Sequence, residues 1–125
     1  MSLNNIVIMN RGDTYSFDLT INDENSIDGL YHLQGDDTVY FGLMLPHQPF
    51  EVAIVRKRFT AEDVDDFGNI VISLESSDTL DLNPGVYYYA VKLHMDHKEA
   101  YADGTSFDVD EVVTVINKTK FVICD

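Results

Sequence analysis

Apolar and polar residues alternate along much of this chain, and the alternation predicts strands almost throughout. Between residues 15 and 21 every second residue is apolar, which is typical of a strand with one buried face. The segments 39–43 and 70–74 repeat the pattern. The clearest strand follows a turn predicted at 82–85 and places five apolar residues on one face: Tyr87, Tyr89, Val91, Leu93 and Met95.

Shorter strands are predicted at 6–9 and 52–59, whereas residues 112–123 indicate either one bent strand or two short ones. The polar segment 96–104 predicts a hairpin connection. Residues 60–63 and 76–80 resemble capped first turns of helices, but neither continues into an amphipathic stripe. Seven or eight short strands with frequent turns favour one all-β domain over residues 1–125, an antiparallel immunoglobulin-like β-sandwich.

Tyr87 has a specific candidate role in such a sandwich. It opens an inward-facing strand just after a turn, which is where a tyrosine corner places a hydroxyl that bonds back to the preceding connection. The alternative is a core aromatic residue whose hydroxyl lies at the rim.

The net charge of the chain limits the classes of partner that it can bind. Asp and Glu number 22 against eight Lys and Arg, giving a net charge of −14, and such a chain repels phosphates. We therefore expect no nucleic-acid partner and no membrane partner, and no apolar run is long enough to span a bilayer. The positive charge is gathered at Arg56, Lys57 and Arg58.

The termini predict a chain that is not secreted through a signal peptide. The apolar segment 6–9 is too short for a signal sequence and lacks a basic flank, and residues 1–3 are consistent with a cloning remnant. Cys124 has no second cysteine with which to form an internal disulfide.

Two segments resemble metal sites without completing one. Residues 63–70 overlay part of a calcium-binding loop, but Phe67 occupies one ligand position and Leu74 stands where a bidentate Glu is required. His94, Asp96 and His97 are close enough to suggest a transition-metal site, yet three hydrophilic residues at a hairpin mouth need no metal. We expect no metal and no cofactor.

No catalytic constellation emerges from the sequence. It contains no nucleophile elbow, phosphate-cradling loop or dinucleotide fingerprint, and carboxylates are too abundant for any pair to stand out. The tripeptide at 11–13 matches a cell-adhesion motif but is better interpreted as a turn between strands. His32 and His47 are isolated polar residues. We therefore expect a protein that is not an enzyme.

Three segments together resemble a known family, and they cover most of the chain from about residue 10. The segments are residues 11–17 (RGDTYSF), 78–80 (DTL) with 84–91 (PGVYYYAV), and 113–116 (VTVI) with 120–123 (KFVI). Their order resembles the N-terminal β-sandwich module of siphophage baseplate upper proteins and small prophage tail-associated structural proteins. Those baseplate proteins continue into long helical and receptor-holding regions, so we expect this chain to be a self-standing relative or an accessory protein.

The resemblance implies a non-enzymatic structural component of a phage or prophage tail or baseplate, docked to other tail proteins or to copies of itself. It also implies a protein that is made in the bacterial cytoplasm and located in the virion. The alternative function is a carbohydrate- or small-ligand-binding sandwich. Arg56, Lys57 and Arg58 are the candidate partner contact, because Arg56 and Arg58 share one face of a strand. The competing interpretation is an edge strand whose charges discourage unwanted pairing.

Overall fold

The computed structural model describes residues 6–24, 26–66 and 69–125, which form an all-β fold as predicted. The strands in these residues are β1 (Val7–Asn10), β2 (Tyr15–Leu19), β3 (Thr38–Met44), β4 (Val55–Thr60), β5 (Ile70–Leu74), β6 (Gly85–Ala100) and β7 (Ser106–Cys124). Three single turns of helix accompany them: the α-helix α1 (Ser76–Thr79) and the 3-10 turns Phe50–Val52 and Ala61–Asp63.

The strands form two sheets that share one core. The larger sheet has the order β1-β7-β6-β3-β4, and the smaller consists of β2 and β5 in antiparallel register. In the parts of the strands that line the core, the buried residues largely alternate with outward-facing ones, because successive side chains of a strand point to opposite faces. No helix in the described part of the chain is long and apolar enough to cross a membrane.

One pair of strands departs from the predicted antiparallel arrangement. β1 runs parallel to β7, with Val7 opposite Phe121. The chain then turns at residues 11–13, where Gly12 has a φ of 82° and the N–H of Asp13 donates to the Asn10 carbonyl oxygen at 3.1 Å. The sequence pattern predicted this turn but not the strand direction, because alternation specifies which face is buried and not which way a neighbour runs.

The inward face of β6 forms the centre of the core, as the sequence predicted. Tyr87, Tyr89, Val91 and Leu93 are all buried. The Tyr89 ring stacks against Phe41 from the same sheet, with centroids 5.8 Å apart, and meets Phe17 of the smaller sheet edge-on at 6.2 Å. Such aromatic pairs add to the stabilisation that comes from burial, so Tyr89 links the two sheets.

The β6–β7 hairpin is longer than predicted. Residues 96–100 continue β6, and the connection is confined to residues 101–105, where the Tyr101 N–H donates to the Thr105 carbonyl oxygen at 2.7 Å. The expectation that all of 96–104 is a connection was wrong, because backbone pairing does not require apolar side chains. β7 is one continuous strand with irregular register opposite Tyr89 to Lys92, which favours the bent-strand alternative.

Candidate functional site

The three clustered basic residues of β4 separate onto two faces. β4 is the edge strand of the larger sheet, and Arg56 and Arg58 are exposed on its outer face. Lys57 points to the opposite side, where its Nζ donates a hydrogen bond to Oδ2 of Asp78 at 3.0 Å in a largely buried ion pair. Lys57 therefore does not belong to the same contact surface as the two arginines.

Two aromatic residues lie beside the arginines on the outer face. Tyr40 of β3 lies directly between Arg58 of β4 and Lys92 of β6 in the strand register. The Lys92 ammonium lies 4.9 Å from the ring centroid of Phe50, which is within cation–π range. A cavity of about 340 Å³ opens beside Tyr40, Phe50 and Arg56.

Gly42 is what allows Phe50 to reach this face. A Cβ added at Gly42 would lie 2.8 Å from Cε2 of the Phe50 ring, a separation at which one of the two must move. Phe50, Met44, Ala53 and Ala90 form a small apolar cluster here. The segment after β3 thus packs over the outer face because one residue of β3 lacks a side chain.

Two further lysines lie on the same side of the sheet. Lys120 is opposite the half-buried Tyr88, and the Lys118 ammonium donates to the Gln48 carbonyl oxygen at 2.5 Å. We define the basic sheet face as seven residues, of which five are among the eight Lys and Arg of the chain: Arg56, Arg58, Lys92, Lys118, Lys120, Tyr40 and Phe50.

The two arginines make no ion pair with any residue that the structure describes, whereas three other cations are paired. Arg11 lies 2.7 Å from Asp125, and Lys98 lies 2.7 Å from Asp108. In a chain with a net charge of −14, two neighbouring exposed arginines without a described carboxylate partner are available to an external anion.

A second polar group lies buried between the β2–β3 segment and β6. The fully buried carboxylate of Asp37 accepts four hydrogen bonds: from the Tyr31 hydroxyl, from the backbone N–H of Gln34 at 3.0 Å, from the backbone N–H of Asp96 at 2.7 Å, and from His97 Nδ1 at 2.8 Å. Burial tends to raise the pKa of Asp37, but these four donors stabilise the carboxylate, and the net effect lowers its pKa.

His97 completes this group. Its side chain is buried, and its Nε2 lies 3.2 Å from Oε1 of Glu99. The hydrogen bond to Asp37, with support from Glu99, outweighs burial and raises the pKa of His97. Burial and the Asp37 carboxylate raise the pKa of Tyr31. Both imidazole nitrogens face carboxylates, so neither is left for proton transfer to a substrate. The arrangement holds the β2–β3 segment against β6.

The structure separates the residues that suggested a transition-metal site. His94 points outward, with its Nε2 2.9 Å from Oδ1 of Asp110, whereas His97 is on the inward face of the same strand. The expectation that His97 lies in a surface turn was wrong, because it continues the inward row of Tyr87 to Leu93. Extending that alternation two residues past Met95 is the signal that was missed.

In the described part of the acidic segment 63–70, aspartate side chains accept hydrogen bonds from nearby backbone N–H groups. Asp63 accepts a hydrogen bond from the Thr60 N–H at 2.8 Å, and Asp65 accepts one from the Asn69 N–H at 2.9 Å. Phe67 and Gly68, on which part of the calcium-loop comparison depends, lie outside the described residues. Across the described ranges, no group of three His, Cys, Asp or Glu residues is arranged to hold a metal ion.

The Tyr87 hydroxyl donates a hydrogen bond to the Asn83 carbonyl oxygen at 2.6 Å. This is the contact with the preceding connection that the sequence predicted for a tyrosine corner. Cys124 is a free, partly buried thiol at the end of β7. His32 lies 2.6 Å from Asp28 in an exposed ion pair.

A cavity of about 520 Å³ lies between β2 and β7, and no pattern in the sequence predicts it. Tyr15 and Phe17 of β2, Val115 and Ile116 of β7, and Tyr89 of β6 contribute to its lining. These strands are distant in sequence, so only the packing of the two sheets creates the space.

Comparisons with known proteins give no relative on which to base a function. No family model, no curated protein and no solved structure matches the chain.

Proposed function

We propose that this chain is a non-enzymatic structural component of a phage or prophage tail or baseplate, in which it acts as a protein–protein docking module through its basic sheet face. The observation that carries the proposal is the charge distribution. Five of the eight cationic side chains make up the basic sheet face of a chain whose net charge is −14. The expected partner surface is acidic and belongs to another tail protein or to a second copy of this chain.

The chemistry of the basic sheet face suits a protein contact. An arginine guanidinium can hold a carboxylate through two parallel hydrogen bonds, and Arg56 and Arg58 point the same way from one strand. Tyr40 and Phe50 provide aromatic surface beside them. Tyrosine and arginine are enriched among the residues that contribute most to protein interfaces. An acidic segment with an apolar side chain is therefore the partner that this face fits.

The tail assignment rests on the resemblance of three sequence segments to baseplate proteins, whereas the immunoglobulin-like sandwich rests on the number of short strands and turns. Two sheets around one core, together with the Tyr87–Asn83 hydrogen bond, support the sandwich. The chain is then made in the bacterial cytoplasm and incorporated into the virion.

Purified tail particles provide the direct test. After prophage induction in the bacterium that encodes the chain, mass spectrometry of the purified particles should find the chain in a fixed ratio to other tail proteins. Arg58→Glu should reduce its incorporation strongly. Arg11→Glu is the matched control, because it changes the net charge equally but lies in the turn after β1, paired with Asp125. Absence of the wild-type chain from intact particles would refute the proposal.

The cavity between β2 and β7 favours the alternative function, a module that binds a carbohydrate or another small ligand. Its volume of about 520 Å³ falls in the range of ligand pockets, and Tyr15 and Phe17 offer ring surfaces on which a sugar can stack. A screen of mono- and oligosaccharides by ligand-observed NMR tests this. Saturation transfer that is lost in Phe17→Ala, and kept in the basic-face variant Arg58→Glu, would support the alternative.

A further inference from the structure

Among the described residues, the larger sheet has two open backbone edges, one at each side. β4 has β3 as its neighbour on one side and no other described strand on the second. β7 pairs with β6 along its length, but β1 covers only Phe121–Cys124 on the other side. Within the described residues, the N–H and C=O groups on the outer edge of Ser106 to Lys120 have no strand partner. An unpaired edge is a template for another strand.

The two open edges carry opposite charges on the same face of the sheet. Arg56 and Arg58 stand two residues apart on the outer face of β4. Asp108 and Asp110 stand two residues apart on the outer face of β7, with side chains 77% and 79% exposed. Equal spacing on two strands means that, in a suitable register, each arginine can lie directly opposite one aspartate, at the roughly 5 Å Cβ separation of cross-strand neighbours.

We propose that β4 of one copy of this chain pairs edge to edge with the 106–116 segment of β7 in a second copy, with Arg56 and Arg58 facing Asp108 and Asp110. This inference rests on the proposed function and deepens it by naming the partner of the basic sheet face. The backbone groups of both edges form a ladder, and the paired charges select the partner strand and its register.

Charge also disfavours the other edge pairings. Two β4 strands side by side would bring arginines against arginines, and two β7 segments would bring aspartates against aspartates. Like charges directly opposite one another on neighbouring strands are destabilising. The mixed pairing of β4 with β7 is the combination of these two edges that brings opposite charges together. The arginines thus disfavour pairing between two β4 strands and still allow β4 to pair with the acidic strand of a neighbouring copy.

The present partners of the two aspartates do not prevent this contact. Asp108 accepts a hydrogen bond from Lys98 Nζ at 2.7 Å, and Asp110 lies 2.9 Å from His94 Nε2. Both are exposed pairs, which contribute little to stability. Both contacts use the carboxylate oxygen Oδ1, so Oδ2 remains to accept from a guanidinium. The arginines of the neighbour then extend these pairs into a network.

The geometry of the contact is heterologous, because β4 and β7 lie at opposite sides of one sheet. Each copy would offer one basic edge and one acidic edge, so the larger sheet would continue from copy to copy. Such contacts form a ring when the rotation between copies closes and a filament when it does not. The net charge of −14 opposes assembly at long range, and this repulsion is largely screened at about 0.15 M salt, where the Debye length is about 8 Å.

Sedimentation velocity over a range of concentrations of the purified chain tests the inference. At about 0.15 M salt the wild type should form oligomers whose size grows with concentration. Arg56→Asp with Arg58→Asp, and separately Asp108→Arg with Asp110→Arg, should each be monomeric. An equimolar mixture of the two double variants should associate again, because each supplies the charges that the other has lost. Circular dichroism establishes that both fold, and Asp108→Asn with Asp110→Asn is the milder substitute if the arginine variant does not.

Hydrogen exchange adds a readout of the backbone ladder. Amides of β4 and of residues 106–116 should gain protection in the oligomer, which a contact through side chains alone would not produce. A wild type that stays monomeric at every concentration overturns the inference. Association that depends on Arg56 and Arg58 but survives Asp108→Arg with Asp110→Arg also overturns it, and in that case the docking function of the basic sheet face stands with a different acidic surface. Incorporation into tail particles tests that function separately.

Discussion

The Nδ1 atom of His97 lies 2.8 Å from Oδ1 of Asp37, although the two residues are 60 positions apart in the sequence. Asp37 immediately precedes β3, and His97 belongs to the extension of β6 toward the hairpin turn. The contact therefore fixes the segment between β2 and β3 against the longest hairpin of the molecule. Because both side chains are buried, each depends on the other to offset its loss of hydration.

Removing the Asp37 carboxylate should strongly lower the free energy of unfolding. Asp37→Ala leaves the buried His97 and the half-buried Tyr31 without their acceptor, and breaking a buried pair in this way costs roughly 3–5 kcal/mol. Urea melts followed by circular dichroism measure the free energy of unfolding. Asp36→Ala is the matched control, because Asp36 is adjacent but exposed, and it should change stability by less than about 0.5 kcal/mol. Equal effects of the two variants would contradict the structural role.

Stability should depend on pH through the same pair. The folded pKa of His97 is raised above its ordinary 6.5, so its contribution is complete below pH 6.5 and declines as the pH rises through the folded value. The folded pKa of Asp37 is lowered below its ordinary 3.8, so its contribution is present above pH 3.8 and declines as the pH falls through the folded value. The pair thus stabilises the fold most between pH 3.8 and 6.5.

Urea melts at a series of pH values, for the wild type and for His97→Gln, check this expectation. The difference between the two proteins isolates the histidine from the general repulsion among carboxylates. That difference should be largest near pH 5 and should shrink at alkaline pH. A difference that grows as the pH rises above 6.5 would mean that the imidazole is neutral in the folded state.

Truncation of Leu93 should be among the strongly destabilising changes in the core. Its side chain is 1% exposed on the inward face of β6, so Leu93→Ala should destabilise the fold by roughly 2–5 kcal/mol through lost burial and a residual cavity. Leu80→Ala is the control, because Leu80 is 54% exposed. Denaturant melts measure both. A loss below about 0.5 kcal/mol for Leu93→Ala would contradict the assigned packing.

The Tyr87 hydroxyl should contribute measurably to the free energy of unfolding, but less than the Leu93 side chain does. Tyr87→Phe keeps the buried ring and removes the 2.6 Å hydrogen bond to the Asn83 carbonyl oxygen, which is worth about 0.5–1.5 kcal/mol. Tyr101→Phe, at an exposed position in the hairpin turn, serves as the control and should be neutral. If thermal melts place both variants at the wild-type melting temperature, the hydrogen bond has no role in stability.

Chelation should leave the fold unchanged. The carboxylates of Asp63 and Asp65 are engaged with backbone N–H groups, and His94 and His97 are on opposite faces of β6. A metal stabilises a protein only if it binds the native state, so excess chelator should not shift the melting temperature. A large fall that calcium or zinc reverses would show a site that these residues do not reveal.

Local patterns in the sequence were sufficient for the strands and the central inward face. The alternation from Tyr87 to Leu93, the turn at residues 11–13 and the shared face of Arg56 and Arg58 all depend on neighbours along the chain. A side chain's face on a strand is set by the two-residue repeat of the backbone, so it can be predicted before any partner strand is known. The same rule, continued to residue 97, would have placed His97 inside.

Contacts between distant segments needed the tertiary structure. The parallel direction of β1, the turn of Lys57 toward Asp78 and the meeting of Tyr31, Asp37 and His97 join residues that no local period connects. The same holds for the cavity between β2 and β7 and for the opposite charges at the two edges of one sheet. Alternation determines which face of each strand is buried. Strand order and direction depend instead on which long-range pairings bury the most apolar surface while satisfying every polar group. Those pairings involve all segments of the chain together, so no single segment specifies them.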